Sequence, residues 1–168
     1  VGSDYDTRIE INSLRAFIYD DAGYICEITN KTYFELSETS YRFLGQIELT
    51  SDIYERVMDG PCKVMLVANS TLPDNPNDFD EATFSVDNIQ MPNGFIPMWG
   101  VATVNLNLQS HQDLGAIYLL RSAAKVEIKL TQSLVDDGFK IVDAFINKHA
   151  PNGYWFPTGW NSVGNTVS

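Results

Sequence analysis

Apolar and polar residues alternate along much of the chain with a period of two, which is the pattern of a β-strand with one buried face. The longest such segment is "IYLLRSAAKVEIKL" at residues 117–130. In a helix, Lys125 and Lys129 would share a stripe with Arg121, whereas alternation keeps all charged side chains off the apolar face. The segment is therefore predicted to be one long, half-buried strand, with a buried face made of Tyr118, Leu120, Ser122, Ala124, Val126, Ile128 and Leu130.

Shorter segments of the same kind recur, separated by turn residues. They predict strands at residues 13–20, 24–29, 43–49, 62–69, 101–108 and 139–147, with Val64, Leu66 and Ala68 in the core. "DDAG" separates the first two strands, and Asp137-Gly138 is predicted to form a type I′ hairpin turn before the last one. Seven or so short strands with frequent turns predict an all-β sandwich, with one or two short helices in its loops.

Two segments fit this pattern less well. "SDIYERVMDG" at residues 51–60 is compatible with a short helix, capped by Ser51 or Asp52, and with an irregular strand. Residues 72–88 are predicted to be a surface loop with one helical turn at about 79–84. Its carboxylates lack the glycine and the ligand spacing of an EF-hand, so a solvated loop is favoured over a calcium site; they are Asp74, Asp78, Asp80 and Glu81.

Length and charge bound the function. The chain has 168 residues, enough for one domain with a sizeable core, and no apolar run approaches the roughly 20 residues of a membrane-spanning helix. The single domain is expected to span residues 1–168, with its core at about 9–157 and a tail or linker at 158–168. A net charge of −11 repels phosphate backbones and anionic headgroups, so nucleic acid is not an expected partner.

Reactive side chains are few. Cys26 and Cys62 lie in apolar, strand-like runs and are interpreted as buried free thiols, with a disulfide open only if their strands are neighbours. His111 and His149 fit no metal-ligand spacing, and no phosphate-binding loop or nucleophile elbow is present, so no cofactor is expected. Two pairs of carboxylates precede a glycine in a turn, where aspartate is typical for backbone reasons; they are Asp20-Asp21 and Asp136-Asp137.

Aromatic residues concentrate near the end of the chain. Trp155 and Trp160, together with Trp99, could form a platform for stacking sugar rings. The interpretation favoured over this one is that they close the end of a sandwich core.

Five segments, taken in order, resemble the N-terminal domain of the fimbrillin family, the Bacteroidetes type V pilins with their FimA-like and Mfa-like relatives. They are "INSLRAFIYDDAGYI", "CKVMLVANS", "FIPMWG", "IYLLRSAAKVEIKL" and "FKIVDAFINKHAPNGYWFP". The most specific elements are "PMWG" and "LLRSAAKVEI", whose family-motif positions are Pro97, Met98, Gly100, Arg121, Ala124, Lys125 and Val126.

The resemblance implies a transthyretin-like β-sandwich without enzymatic activity, exported through the periplasm and outer membrane as a lipidated precursor and assembled into pili at the cell surface. In this family a protease removes an N-terminal strand, and a strand of another pilin subunit fills the vacated groove. Applied to this chain, that mechanism makes Leu14, Ala16 and Ile18 the expected lining of the groove. Host or bacterial surface receptors are further expected partners.

The chain departs from the family pattern at both ends. It lacks the lipid-bearing cysteine and a strand before "IEINSLRAF", and it ends at "VGNTVS", about where a second sandwich domain would begin. Because its first residues, "VGSDYDT", contain no initiator methionine, the chain is interpreted as a processed or excised product, and a missing signal peptide does not indicate its location.

Overall fold

The computed structural model of the chain describes residues 10–70, 72–81, 83–85, 96–107, 111–122, 128–145 and 152–154. The chain is mostly β, with antiparallel strands in a sandwich-like arrangement, so the predicted all-β class is confirmed. The strands are β1 (Leu14–Asp20), β2 (Gly23–Glu27), β3 (Thr29–Ser37), β4 (Ser40–Gln46), β5 (Cys62–Ala68), β6 (Thr83–Ser85), β7 (Met98–Val104), β8 (Leu120–Arg121) and β9 (Asn152–Tyr154). The helices are α1 (Ser51–Met58), α2 (Gln132–Asp136) and a 3₁₀ helix at Pro76–Glu81.

A five-stranded sheet in the order β2-β1-β5-β7-β8 organises the fold. Alternation along β1 and β5 sends even-numbered side chains to one face of this sheet and odd-numbered side chains to the other. The first core cluster, on the even face, contains Leu14, Ala16, Ile18, Ile25, Cys26, Ile28, Val57, Cys62, Val64, Leu66, Ala68 and Met98. The second core cluster, on the odd face, contains Phe17, Tyr19, Met65, Val67, Leu72, Phe79 and Trp99.

Both faces of the central sheet are covered. Tyr33 and Phe43 of the β3–β4 hairpin pack against the first core cluster, and α1 adds Val57 to it. On the other face, Phe79 of the 3₁₀ helix meets the ring of Phe17 edge-on, with 5.0 Å between the ring centroids. The strands β1 and β5 are therefore buried on both sides, and the predicted burial of Val64, Leu66 and Ala68 is confirmed.

The β1–β2 hairpin forms where "DDAG" predicted a turn. The Asp20 carboxylate accepts a hydrogen bond from the N–H of Ala22, and Gly23 takes a φ of +125°, which is strained for other residues. The pairing shifts by one residue between Ile18 and Tyr19, so β2 contains a bulge opposite this step. The bulge places the neighbouring Ile25 and Cys26 both in the first core cluster.

Residues 51–60, which the sequence left open between helix and strand, contain α1. The hydroxyl of Thr50, rather than Ser51 or Asp52, caps the helix by accepting from the N–H of Ile53. Helical spacing places Ile53 and Val57 on the side that packs against the first core cluster.

The prediction of one long strand at residues 117–130 is wrong for the described residues. Among the residues of this range that the structure describes, only Leu120–Arg121 forms a strand, and Ile117 and Leu119 pack against the first core cluster. Three of the residues predicted to be buried are instead exposed, Tyr118 at 85%, Leu120 at 43% and Ile128 at 59%, while Ser122 and Leu130 are half-buried. Ala124, Lys125 and Val126 lie outside the described residues.

The cause is the close approach of this segment to β7. A side chain at Gly100 would collide with the backbone carbonyl oxygen of Tyr118, so the segment comes close to the even face of β7 before joining the sheet edge. Ile117 and Leu119 then contact the first core cluster, which shifts the phase of burial by one residue.

The predicted type I′ turn at Asp137-Gly138 is also wrong. Asp137 has a φ of −76° and ends α2, and only Gly138 has a positive φ. The N–H of Gly138 donates to Val135 and that of Phe139 donates to Leu134, which is the pattern of a Schellman motif. The glycine therefore ends a helix, and residues 139–145 of the predicted last strand form no strand.

We expect Gly100→Ala to lower the free energy of unfolding by roughly 1–3 kcal/mol, because the added methyl group meets backbone rather than a movable side chain. Urea denaturation measures the effect. Gly60→Ala is the matched control, since an added Cβ there meets nothing within 4 Å. Equal stabilities of the two variants would show that residue 118 does not lie against Gly100.

Candidate functional site

The two motifs singled out in the sequence, "PMWG" and "LLRSAAKVEI", meet at one corner of the central sheet as far as the structure describes them. Met98 pairs with Arg121 across the β7–β8 ladder, and Trp99 pairs with Leu120. The N–H of Ser122 donates to the carbonyl oxygen of Pro97 at 2.9 Å. Two motifs about 20 residues apart in sequence thus form a single structural unit, the β7–β8 corner.

The outer edge of this corner is only partly paired among the residues that the structure describes. The strand β7 has seven residues and β8 has two, so pairing covers only Met98 and Trp99. Within the described part of the chain, no strand pairs with residues 100–104 on the side of β7 that faces away from β5. An edge of this kind presents main-chain donors and acceptors that can pair with another extended segment.

The opposite edge of the sheet, formed by β2, is occupied by a side chain of α1. The Arg56 guanidinium donates to the Asp20 carboxylate at 2.6 and 2.7 Å, and its Nη1 donates to the carbonyl oxygen of Tyr24 at 2.9 Å. A longer bond of 3.3 Å reaches the carbonyl oxygen of Gly23. The hydrogen bond from Arg56 lowers the pKa of Asp20 below its ordinary value of 3.8.

A second ion-pair group links β1, β2 and β3. Glu27 accepts from Arg15 at 2.8 Å and from Lys31 at 2.7 Å, and the bond from Arg15 is the main cause that lowers the pKa of Glu27. The Arg15 guanidinium also lies 4.8 Å from the centre of the Phe17 ring. These contacts join side chains and leave the main-chain edge of β2 untouched.

Asn69, in the "VANS" element, holds three segments together at the end of β5. Its φ is +56°, a conformation that Asn tolerates better than most residues. Its Oδ1 accepts from the N–H groups of Asn12 and Ser13, and its Nδ2 donates to the carbonyl oxygens of Glu10 and Ile96. Asn69 therefore fixes both the approach to β1 and the approach to the β7–β8 corner.

The residues expected to line a donor-strand groove lie inside the sheet. Leu14, Ala16 and Ile18 are buried in the first core cluster. Their strand β1 pairs with β2 on one side and with β5 on the other. A strand that contacted these three side chains would have to displace residues of this chain, and their role in a groove stays a prediction.

The remaining candidate residues do not converge. Trp99 is 6% exposed and packs in the second core cluster, so it cannot offer its ring face to a sugar without opening the core. Trp155, Trp160 and His149 lie outside the described residues. The described part of the chain contains no group of three or more metal-ligating side chains, and no helix in it is long and apolar enough to cross a membrane.

Cys26 and Cys62 are buried free thiols, which confirms the prediction made from their apolar, strand-like sequence surroundings. Cys26 lies on β2 and Cys62 on β5, and β1 lies between these two strands. Two strand spacings of about 4.8 Å therefore separate the two cysteine backbones, which is too far for a disulfide. Burial is the main cause that raises the pKa of the Cys26 thiol to about 11, and burial also raises the pKa of Cys62. Both thiols are therefore protonated and unreactive at neutral pH.

Sequence reasoning missed Arg56 and the role of Asn69. A signal existed for Asn69, because an Asn directly after a buried strand is a candidate for a positive φ. No local signal identified Arg56, since its partners lie 32 to 36 residues away along the chain.

Comparison of the chain with models of known protein families, with curated protein sequences and with solved structures finds no match.

The two ion-pair groups predict a loss of stability in acid. Because the folded protein lowers the pKa of Asp20 and of Glu27, their contribution is present above the ordinary values of 3.8 and 4.5 and is lost as the pH falls through the lower folded values. We expect Asp20→Asn to remove roughly 1–3 kcal/mol at neutral pH and less in acid. Urea denaturation across the acid range checks this. A loss that is the same at every pH would contradict it.

Proposed function

We propose that this chain is a structural subunit of a cell-surface fimbria, related to the fimbrillin family, and that it assembles with other subunits by strand addition. One observation carries the proposal: the first four segments of the sequence resemblance contain β1, β5, the first three residues of β7, and β8, and these four strands are consecutive neighbours in the central sheet. The resemblance therefore follows one structural unit rather than scattered surface positions.

The acceptor in this proposal is the β7–β8 corner. Residues 100–104 of β7 extend beyond β8, and Thr103 on this stretch is exposed. An added strand would extend the ladder from Gly100 onward and would pair main-chain groups that no strand among the described residues pairs on this side.

The donor in this proposal is residues 139–145 of a second copy. This segment forms neither helix nor strand, yet Phe139 is 60%, Val142 97% and Phe145 84% exposed. Large apolar side chains exposed this close together are a typical sign of a protein interaction site. Lys140 and Asp143 cancel in charge, so the segment is neutral in a chain of net charge −11, and repulsion between copies is weakest there.

Donor and acceptor on the same chain are different surfaces. Contacts of this heterologous kind leave one donor and one acceptor free at the two ends of any oligomer, so they produce open polymers unless the rotation closes a ring. The proposed assembly needs no catalysis and no cofactor, and its proposed location is the cell surface, among identical or related subunits.

Val142→Lys tests the donor. Because Val142 is almost fully exposed, we expect the melting temperature to stay unchanged while concentration-dependent polymers disappear in light scattering and electron microscopy. Met58→Lys on α1 is the matched control, because Met58 is also an exposed apolar residue, at 51%, and should leave assembly intact.

Thr103→Lys tests the acceptor in the same assay, since lysine on an edge strand opposes strand addition. Thr32→Lys makes the same change at an exposed position of β3 and should assemble normally. A chain that stays monomeric at every concentration, or polymers that both Val142→Lys and Thr103→Lys leave unchanged, would refute this mode of assembly.

A further inference from the structure

The Arg56 guanidinium lies against the β1–β2 turn at the edge of β2. The β1–β2 turn contains two residues between the paired Asp20 and Gly23. The Arg56 guanidinium reaches the carbonyl oxygens of the two residues that follow this turn, Gly23 at 3.3 Å and Tyr24 at 2.9 Å. The shorter of these bonds shows that the carbonyl of Tyr24 is open toward the outside of the hairpin, on the side of α1.

Arg56 binds this outward carbonyl. Its Nη1 donates to the carbonyl oxygen of Tyr24 at 2.9 Å, and its Nε and Nη2 are held by the Asp20 carboxylate. The guanidinium is planar and has several N–H donors in a fixed arrangement. One arginine can therefore hydrogen-bond to the Asp20 carboxylate and to the Tyr24 carbonyl oxygen at the same time. An incoming strand would have to displace this charged group before it could pair with Tyr24.

The position of the guanidinium follows from the core. Val57, the next residue, is 1% exposed and anchors α1 in the first core cluster. The cap at Thr50 fixes the start of the helix. Arg56 is thus presented to the β1–β2 turn by a helix that is itself fixed, and only 29% of its side chain is exposed.

We propose that Arg56, held by Asp20, prevents strand addition at the β2 edge and thereby limits assembly to the β7–β8 corner. A charged side chain that blocks an edge strand is a general means by which β proteins avoid unwanted pairing. The consequence for assembly rests on the strand-addition function proposed above. With one edge closed, each chain accepts one donor, and polymers grow without branches.

The test uses Arg56→Met in a chain that also carries Val142→Lys, so that the proposed donor segment is disabled. Methionine retains an unbranched stem but donates no hydrogen bond. Asp20→Asn with Arg56→Met is the second variant, because it leaves no unpaired carboxylate and keeps the net charge of its parent. Arg15→Met is the matched control, since it removes one cation and one ion pair from the same hairpin without exposing a main-chain group.

Circular dichroism first confirms that each variant is folded. We expect the parent and the Arg15→Met control to stay monomeric, whereas both Arg56 variants associate through intermolecular β-structure detected by infrared absorption. Hydrogen exchange within Gly23–Glu27 should become about tenfold slower in the associated Arg56 variants. If a folded Arg56 variant stays monomeric, or if Arg15→Met associates equally, the proposal is overturned.

Failure of the proposed function gives a different result. If the Val142→Lys parent polymerises like the unmodified chain, the donor assignment is wrong. The role of Arg56 is then tested by hydrogen exchange of Gly23–Glu27 alone. If association slows this exchange only in the Arg56 variants, the role of Arg56 is supported. If exchange slows equally in parent and variants, or in neither, that role is overturned.

Discussion

Main-chain pairing in the middle of the central sheet is the constraint on which the rest of the structure depends. Because β1 and β5 are covered on both faces, their N–H and C=O groups have no access to water and must be paired within the sheet. Continuous registers satisfy this requirement, from Leu14 to Tyr19 between β1 and β5 and from Cys62 to Ala68 between β5 and β7. Only at the two edges of the sheet can main-chain groups lack a partner strand within the sheet. These edges, β2 and the β7–β8 corner, differ in structure.

At the β2 edge a charged side chain binds the outward carbonyl of Tyr24, and at the other edge a two-residue strand leaves most of β7 without a strand partner among the described residues. This asymmetry is consistent with the proposed function, because a subunit that offers one acceptor edge can form an unbranched polymer. The same asymmetry links the fold to the sequence resemblance, because the β7–β8 corner is built from two of the segments that carry it.

The sequence predicted the strands that are buried on both faces and failed where the outcome depends on distant contacts. The runs that became β1, β2 and β5 were identified because a continuous apolar segment next to turn residues has few alternatives. β3 was missed, because Thr29–Ser37 is largely polar and, within the described part of the chain, pairs with its hairpin partner alone. In residues 117–130 alternation was present, but alternation does not specify which face is buried. That was decided by the passage of the backbone near Gly100, which a local pattern does not encode.

The Asp137-Gly138 pair shows the same limit in a turn. A glycine with a positive φ is compatible with a hairpin turn and with the end of a helix. Gly138 ends a helix because the residues before it, Gln132–Asp136, form α2. For the candidate site, the motif positions named from the sequence remain a prediction, and the structure shows only that Pro97, Met98 and Arg121 lie together. Their pairing with β7 and the hydrogen bonds of Asn69 and Arg56 depend on strand order, which no single segment determines.

Strand addition at the β7–β8 corner is best tested by hydrogen exchange of the chain before and after assembly, resolved to short peptides by mass spectrometry. We expect residues 100–104 of β7 and the donor segment at residues 139–145 to exchange more slowly in the polymer than in the monomer, while exchange of Gly23–Glu27 of β2 is unchanged. Polymers in which residues 100–104 gain no protection would contradict strand addition at the β7–β8 corner.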